Sequence, residues 1–309
     1  MNEDEPPEGN FLLLLPPSIY GFNMQEKKWM DLRTDCISDV KWNKKAFETL
    51  AVDQDIKELI TALVSNKLAA DKGTDLMAGK GNGLIVLLHG GPGTGKTLTA
   101  ESVAEIAEKP LYRVTCGDLG IDPIKIEEYL DSVFHLGKIW DCVVLLDEAD
   151  VFLEQRTLND LSRNALVSVF LRALEYYDGI LVLTSNRVGT FDEAFKSRIQ
   201  LALHYEALNK SQRRQIWENF IRHLDDMNDN INVEDVTGHI SELAEYELNG
   251  RQIRNSVTTA RQLALFKGNQ MEFNHLKHVI KVSSKFDKYL FQLKAEATDD
   301  DWARDEGIR

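Results

Sequence analysis

Cysteine is scarce in this sequence, and long hydrophobic runs are missing. Cys36, Cys116 and Cys142 lie far apart and lack the C-x-x-C spacing of metal or redox sites. We therefore expect buried free thiols. The longest apolar runs, residues 11–15 and 84–88, fall far short of the roughly 20 residues that a spanning helix needs. No membrane span is predicted.

Basic residues are also in deficit. The chain has 36 lysines and arginines against 50 aspartates and glutamates, which gives a net charge of −14. A surface of this charge repels a phosphate backbone, so nucleic-acid binding is disfavoured. The acidic start MNEDEPPEGN lacks the positive and apolar regions of a signal peptide. We expect an intracellular protein, cytoplasmic or nuclear.

The order of sequence patterns predicts an α/β domain followed by a helical one. Largely apolar runs, as expected of strands buried on both faces, occupy residues 84–89, 111–114, 143–147, 180–186 and 199–205. Helical patterns at residues 97–108, 123–136 and 160–177 alternate with these runs. This alternation is typical of a parallel sheet flanked by helices. Beyond residue 209 only amphipathic helical patterns remain.

A phosphate-binding loop is predicted between the first apolar run and the helix after it. Gly90, Gly95, Lys96 and Thr97 satisfy the G-x-x-x-x-G-K-[ST] pattern in a strand–loop–helix context. Small residues let successive backbone N–H groups face a phosphate chain, and the helix N-terminus adds partial positive charge. Lys96 is expected to reach the β- and γ-phosphates of ATP, and the Thr97 hydroxyl to bind Mg²⁺. The expected nucleotide contacts are Gly91, Pro92, Gly93, Thr94, Gly95, Lys96, Thr97 and Leu98.

Two acidic residues end the apolar run VVLLD. A parallel strand would deliver Asp147 and Glu148 to the carboxyl edge of the sheet, where open α/β sheets bind ligands. Asp147 is expected to hold Mg²⁺, directly or through water. Glu148, pointing the other way along the pleat, is expected to act as the general base that polarises a water molecule.

Three further polar residues follow these motifs. Asn186 closes the run ILVLTSN, and its amide can orient an attacking water molecule because it both donates and accepts hydrogen bonds. Arg198 and Arg251 suit developing phosphoryl charge, since a guanidinium stays charged and binds in a bidentate manner. Spacing alone gives neither arginine a role.

This succession of motifs resembles the AAA+ ATPases. The stretches RNALVSVFLRALEYYDG, LTSNRVGTFDEAFKSRIQLALHY and WARDEGIR are similar to a group of fungal AAA proteins. The resemblance implies a five-strand parallel sheet with a helical lid, and it implies that Asn186 is sensor 1, Arg251 sensor 2 and Arg198 an arginine finger. It also implies a ring, commonly a hexamer, with ATP at each subunit interface.

The predicted division of the chain follows from these patterns. It comprises a linker with short strands over residues 1–50, a P-loop AAA+ core over 51–207, a helical lid over 208–294 and an acidic tail over 295–309. In the fungal group a longer N-terminal region usually precedes the ATPase, so we expect most of such a region to be absent from this chain.

One stretch departs from the pattern of ring ATPases that thread polypeptides. After the second strand those enzymes place an aromatic residue and a glycine, whereas this chain reads CGDLGIDPIKIEE. Threading is therefore not predicted, although Leu119 or Ile121 could grip weakly. Arg156 and Arg163 are weaker candidates for a place at a subunit interface.

The leading hypothesis is an Mg-ATP-driven ring that remodels a protein or a protein assembly. A nucleotide-controlled scaffold that does not hydrolyse ATP is the first alternative, and turnover discriminates between the two. A monomeric P-loop phosphotransferase is the second alternative, but such an enzyme has no use for an interface arginine.

Overall fold

The protein has three layers in its first part and a separate bundle of helices after them. The computed structural model describes residues 15–69, 83–115, 123–153, 161–187 and 191–296. The strands are β1 (Ser18–Asn23), β2 (Lys28–Arg33), β3 (Leu84–Gly90), β4 (Leu111–Thr115), β5 (Val143–Asp147), β6 (Ile180–Ser185) and β7 (Leu201–Tyr205). The helices are α1 (Lys45–Glu48), α2 (Gln54–Ala69), α3 (Lys96–Ala107), α4 (Pro123–Ile139), α5 (Asp150–Leu153), α6 (Leu161–Tyr176), α7 (Lys210–Asp226), α8 (Val233–Gly238), α9 (Ile240–Leu243), α10 (Gly250–Phe266) and α11 (Phe273–Glu296).

The central sheet has the strand order β4-β5-β6-β3-β7, and all of its pairings are parallel. Its apolar strands are buried on both faces, because α2 and α3 pack on one face and α4, α5 and α6 on the other. Val143 and Leu145 of β5 face the first group of helices, whereas Val144 and Leu146 face the second. The carboxyl ends of β3, β5 and β6 consequently lie side by side at one edge.

The N-terminal part is an antiparallel hairpin, β1 paired with β2. Aromatic contacts attach it to the sheet domain, since Phe22 packs against Tyr112 and Trp140 at centroid distances of 6.4 and 4.9 Å. Tyr20 and Trp29 stack on each other at 5.6 Å and remain 69% and 52% exposed. The hairpin therefore presents an aromatic surface to solvent.

The C-terminal part contains no strand among the described residues from Lys210 onward, and it has its own core around the fully buried Trp217. Two of its helices begin with a capping box. Asn209 opens α7 and Asn249 opens α10, and each side chain accepts the backbone N–H three residues later while a glutamine side chain returns the bond. Such caps fix where each helix starts.

The predicted fold class, a five-strand parallel sheet flanked by helices and followed by a helical lid, is confirmed. Element ends differ slightly from the prediction: β6 stops at Ser185, and α11 continues to Glu296, two residues into the predicted tail. The expectation of buried thiols is wrong for Cys36, which is exposed, whereas Cys142 is buried and burial raises its pKa to about 11. Within the described ranges no helix has the length and apolar character that a bilayer crossing requires.

Candidate functional site

The loop between β3 and α3 has the backbone conformation that phosphate binding requires. Gly93 and Gly95 have φ values of 73° and 104°, which side-chain-bearing residues rarely adopt. Thr94 Oγ1 donates to the carbonyl of Gly91 at 2.9 Å and closes the turn. The backbone N–H groups of Gly91 and of residues 93–97 thereby lie next to the tip of α3, where the helix dipole favours an anion.

The Lys96 ammonium lies inside this loop. Its Nζ donates to the carbonyls of Gly90 and Gly91 at 2.8 and 2.7 Å, and the residue is only 5% exposed. Burial lowers the pKa of Lys96, and the carboxylates of Asp147 and Asp150 oppose that effect. A triphosphate would compete with the two carbonyls for this cation.

The Asp147 carboxylate accepts three hydrogen bonds. Its Oδ1 accepts from the hydroxyls of Thr184 and Thr97 at 2.5 and 3.2 Å. Its Oδ2 accepts from the Arg113 guanidinium at 2.5 Å. The side chain is 8% exposed, so these donors take the place of water around a nearly buried charge.

Glu148 differs from its predicted orientation. It does not continue the pleat of β5 but turns into the left-handed region with φ 59°, and its side chain is exposed. Thr184 holds this turn, because its Oγ1 accepts the Glu148 N–H at 2.9 Å and its carbonyl accepts the N–H of Ala149 at 2.8 Å. A non-glycine residue in this conformation is strained, and such strain is concentrated at functional sites.

Asn186 lies directly after β6, next to the same turn. Its backbone N–H donates to Asp150 Oδ1 at 3.1 Å, and the Ser185 hydroxyl donates to that oxygen at 2.5 Å. Asp150 begins α5, and Ala149 separates it from the acidic pair. The end of β6 is therefore joined to the turn after β5 by two sets of hydrogen bonds. Thr184 contacts Glu148 and Ala149, and Asp150 contacts Ser185 and Asn186.

The lid approaches the loop at the start of α10. Gly250 N–H donates to the carbonyl of Gly93 at 2.8 Å, and a Cβ on Gly93 would lie 2.5 Å from the side-chain oxygen of Asn249. Arg251 follows on the same helix turn with an exposed side chain, and its charge contributes to the lowering of the Lys96 pKa. The structure thus brings Arg251 into the electrostatic environment of the loop.

The Arg198 side chain is hydrogen-bonded to residues outside the loop and the Asp147 turn. It follows a 3₁₀ turn at Glu193–Phe195, and its guanidinium donates to the carbonyl of Ala194 at 2.9 Å and to Glu175 at 3.1 Å. Its Nε has no hydrogen-bond partner within the described part of the chain. Among the described residues, none of its side-chain hydrogen bonds goes to the loop or to the Asp147 turn.

The donor set fits a magnesium ion that also binds phosphate. The Thr97 hydroxyl and the Asp147 carboxylate, 3.2 Å apart, are the oxygen ligands that Mg²⁺ takes in nucleotide sites. Among the described residues no group of three or more His, Cys, Asp or Glu side chains is arranged to hold a metal alone. A metal here would need phosphate oxygens or water to complete its coordination.

Sequence reasoning missed the residues that position the acidic pair. Thr184, Asp150 and Arg113 all contact the acidic pair or its turn. The two hydroxyls that end the apolar run ILVLTS, those of Thr184 and Ser185, could have been noticed, because a buried hydroxyl needs a partner. Predicted residues that lie outside the described ranges are Cys116, Leu119, Ile121 and Arg156, and the side chain of Arg163 is likewise not described.

The fold and the site together define a P-loop nucleoside-triphosphatase domain followed by a helical lid. The family model for the "ATPase family associated with various cellular activities (AAA)" matches residues 86–207, and a "fungal AAA+ ATPase lid domain" model matches residues 208–297. The chain belongs to the AAA+ ATPase family. This membership supports an ATPase-type function, and the family is typically oligomeric.

Named relatives are similar over less than half of this chain. The human ATPase family AAA domain-containing protein 3B is 31% identical over 143 residues, which are 42% of this chain and 21% of that protein. The ATPase family AAA domain-containing protein 3 of Caenorhabditis elegans is 32% identical over 151 residues, 44% of this chain and 24% of that protein. The matched stretch is thus under a quarter of the length of these two relatives.

Proposed function

We propose that the chain is an Mg-ATP-dependent ATPase that acts in a ring and remodels a protein or a protein assembly. The observation that supports this function best is the meeting of two motifs: the Thr97 hydroxyl of the loop lies 3.2 Å from the Asp147 carboxylate of β5. These motifs are far apart in the sequence. An oxygen pair at the tip of a phosphate-binding helix suits the magnesium ion of a bound nucleotide.

Each residue has a distinct role in the proposed reaction. Lys96 binds the β- and γ-phosphates, and Thr97 and Asp147 hold Mg²⁺, which when bound neutralises developing phosphoryl charge. Glu148 accepts the proton of the attacking water molecule at its carboxylate, and Asn186 orients that water molecule. Arg251 stabilises phosphate charge from the lid side.

Arg198 supports the part of the proposal that concerns a ring of subunits. Its cation lies outside the hydrogen bonds of its own nucleotide site, as is expected of a residue that acts on the nucleotide of a neighbouring subunit. In P-loop enzymes an arginine finger contributes roughly 10³- to 10⁵-fold in rate. Turnover per subunit should therefore rise with protein concentration.

Phosphate release together with nucleotide binding tests the function. The wild type is expected to bind ATP and release phosphate, Lys96→Ala to lose binding, and Glu148→Gln to bind ATP without turning it over. ATP binding without turnover at any protein concentration would favour the scaffold alternative. Equal ATP affinity in the wild type and Lys96→Ala would overturn the assignment of the loop.

A further inference from the structure

The contact between Arg113 and Asp147 has no part in the chemistry described above. Arg113 lies on β4, in register with Leu145 of the neighbouring strand β5. Its guanidinium donates to Asp147 Oδ2 at 2.5 Å. The Asp147 side chain is 8% exposed and that of Arg113 is 50% exposed, so one partner of this ion pair is nearly withdrawn from water.

The three donors to Asp147 are not equivalent. The hydroxyls of Thr97 and Thr184 are neutral, whereas Arg113 brings a full positive charge. A magnesium site attracts its ion through net negative charge, and a cation bonded to the carboxylate offsets that charge. The Arg113 contact therefore makes the potential at the Thr97 and Asp147 oxygens less negative than two threonine donors would.

A second carboxylate lies within electrostatic reach of Arg113. Glu101 follows Thr97 by four residues on α3 and therefore shares its helix face. Partial desolvation raises the pKa of Glu101, and the charge of Arg113 lowers it. Glu101, on the helix that carries the Thr97 hydroxyl, is therefore a second carboxylate whose charge interacts with Arg113.

We propose that Arg113 sets the magnesium affinity of this site by competing with the ion for the Asp147 carboxylate, and that Glu101 accepts the guanidinium when the ion binds. The inference rests on the proposed function, because it takes Asp147 as the carboxylate on the magnesium side. It concerns the affinity for the metal and not the reaction itself.

Binding of a fluorescent ADP analogue at a series of free Mg²⁺ concentrations tests the proposal on the full chain. Arg113→Met should lower the Mg²⁺ concentration of half-maximal effect by roughly threefold to tenfold, since an ion pair with one exposed partner is partly screened. Arg113→Lys, which keeps the charge, should stay close to the wild type. Glu101→Gln should raise the half-maximal concentration, because Arg113 then loses the negative charge on α3.

The double variant shows whether the two residues act on one another. If Glu101 acts through Arg113, then Arg113→Met with Glu101→Gln should behave like Arg113→Met alone. Arg172→Met is the matched control, because Arg172 also pairs with a carboxylate, that of Glu127, but on the surface between α6 and α4. It should leave the magnesium titration unchanged. Arg113→Gln, which keeps hydrogen-bond donors without charge, replaces the methionine variant if that one does not fold.

Three results would overturn the inference. An unchanged or raised half-maximal concentration in the uncharged Arg113 variants contradicts competition. An equal change of ADP affinity in EDTA means that Arg113 acts on the nucleotide and not on the metal. No ADP binding by the wild type would overturn the proposed function and this inference together, whereas normal ADP binding with identical magnesium titrations would overturn the inference alone.

Discussion

A single hydroxyl group, that of Thr184, contacts both acidic residues of the site. It donates to Asp147 Oδ1 and accepts the Glu148 N–H, and it is 2% exposed. Removing it would leave the Glu148 N–H without its acceptor, and the left-handed turn would lose the side-chain hydrogen bond that stabilises it. The position of the proposed base relative to the loop therefore depends on this one side chain.

Thr184→Val should lower kcat by roughly 10- to 100-fold while nucleotide affinity stays close to that of the wild type, because a misplaced base slows the reaction more than it weakens phosphate binding. Steady-state kinetics and fluorescent-nucleotide binding measure the two effects. Thr184→Ser keeps the hydroxyl and should recover most of the rate. A valine variant with wild-type kcat would mean that the Thr184 hydroxyl is not needed to position Glu148 for the reaction.

The ring of His89 gives the domain a dependence on pH. Burial, together with the charges of His204 and Lys96, lowers the pKa of His89 from its ordinary value of 6.5. The unfolded chain then binds a proton on this ring at a higher pH than the folded chain does. The free energy of unfolding should consequently fall as the pH drops below about 6.5, until the folded-state pKa is passed.

Urea denaturation between about pH 7.5 and pH 5.5 checks this expectation. The loss of stability toward low pH should be smaller in His89→Gln than in the wild type. His135→Gln is the control, since His135 is exposed on α4 and should leave the slope as it is. Identical slopes in all three proteins would rule out a contribution from His89.

The local sequence pattern was sufficient to predict the loop between β3 and α3, but it did not predict the contacts of Asp147 and Glu148. The residues 90–97 are contiguous, so their pattern predicted the strand, the turn and the helix together. The left-handed turn at Glu148 depends instead on Thr184 of another strand, and the Arg113 contact depends on the register of β4 against β5. No periodicity of a single segment encodes pairings of that kind.

At the scale of whole elements, two helices of the lid begin in the same way but meet different neighbours. Asn209 and Asn249 each make a capping box with bonds of 2.8 to 3.0 Å. Only the second lies against the phosphate-binding loop, through Gly250 and Gly93. Comparing substitutions of these two asparagines therefore separates the effect of a helix cap on stability from its effect on the nucleotide site.

Replacing either asparagine by alanine should lower the free energy of unfolding by about 1 kcal/mol, which is the usual cost of losing an N-cap side chain. Asn249→Ala should also weaken ATP-analogue binding several-fold, whereas Asn209→Ala should not. Chemical denaturation and a binding titration give the two quantities. Equal nucleotide affinity in both variants would mean that the start of α10 does not act on the loop.

The elements themselves were largely predictable because buried parallel strands are continuous apolar runs. Four of the strands begin and end within two residues of the predicted bounds, and β4 extends its short run by one residue. In the region of the hairpin β1–β2 the sequence predicted short strands, and it specified no pairing between them. The attachment of the hairpin depends on Phe22 meeting Trp140 across a long stretch of chain, which no local pattern reveals.

At the scale of the whole molecule, the proposed ring requires two subunits for each reaction. Arg198 is bound to Glu175 of its own chain, so it must exchange that partner for phosphate if it is to act on a neighbour. Its charge and its partly buried setting, with 27% of the side chain exposed, suit such an exchange. The proposal predicts complementation between defective subunits.

Mixing Arg198→Ala with Glu148→Gln should restore part of the turnover that each variant lacks alone, because mixed interfaces combine an intact finger with an intact base. Phosphate release as a function of mixing ratio measures the recovery. Lys196→Ala is the nearby control: Lys196 is a 75% exposed cation whose loss should leave turnover unchanged. No recovery at any ratio would contradict action between subunits.

The narrow approach of Asn249 to Gly93 constrains one glycine from two sides. A methyl group at position 93 would meet the amide of Asn249 at 2.5 Å, and the φ of 73° already disfavours any residue with a side chain. Smaller amino acids at position 249 should therefore accompany larger ones at position 93 wherever the two vary in natural sequences. Covariation of these two positions among natural sequences would indicate that the loop and the start of α10 are in contact in those proteins too.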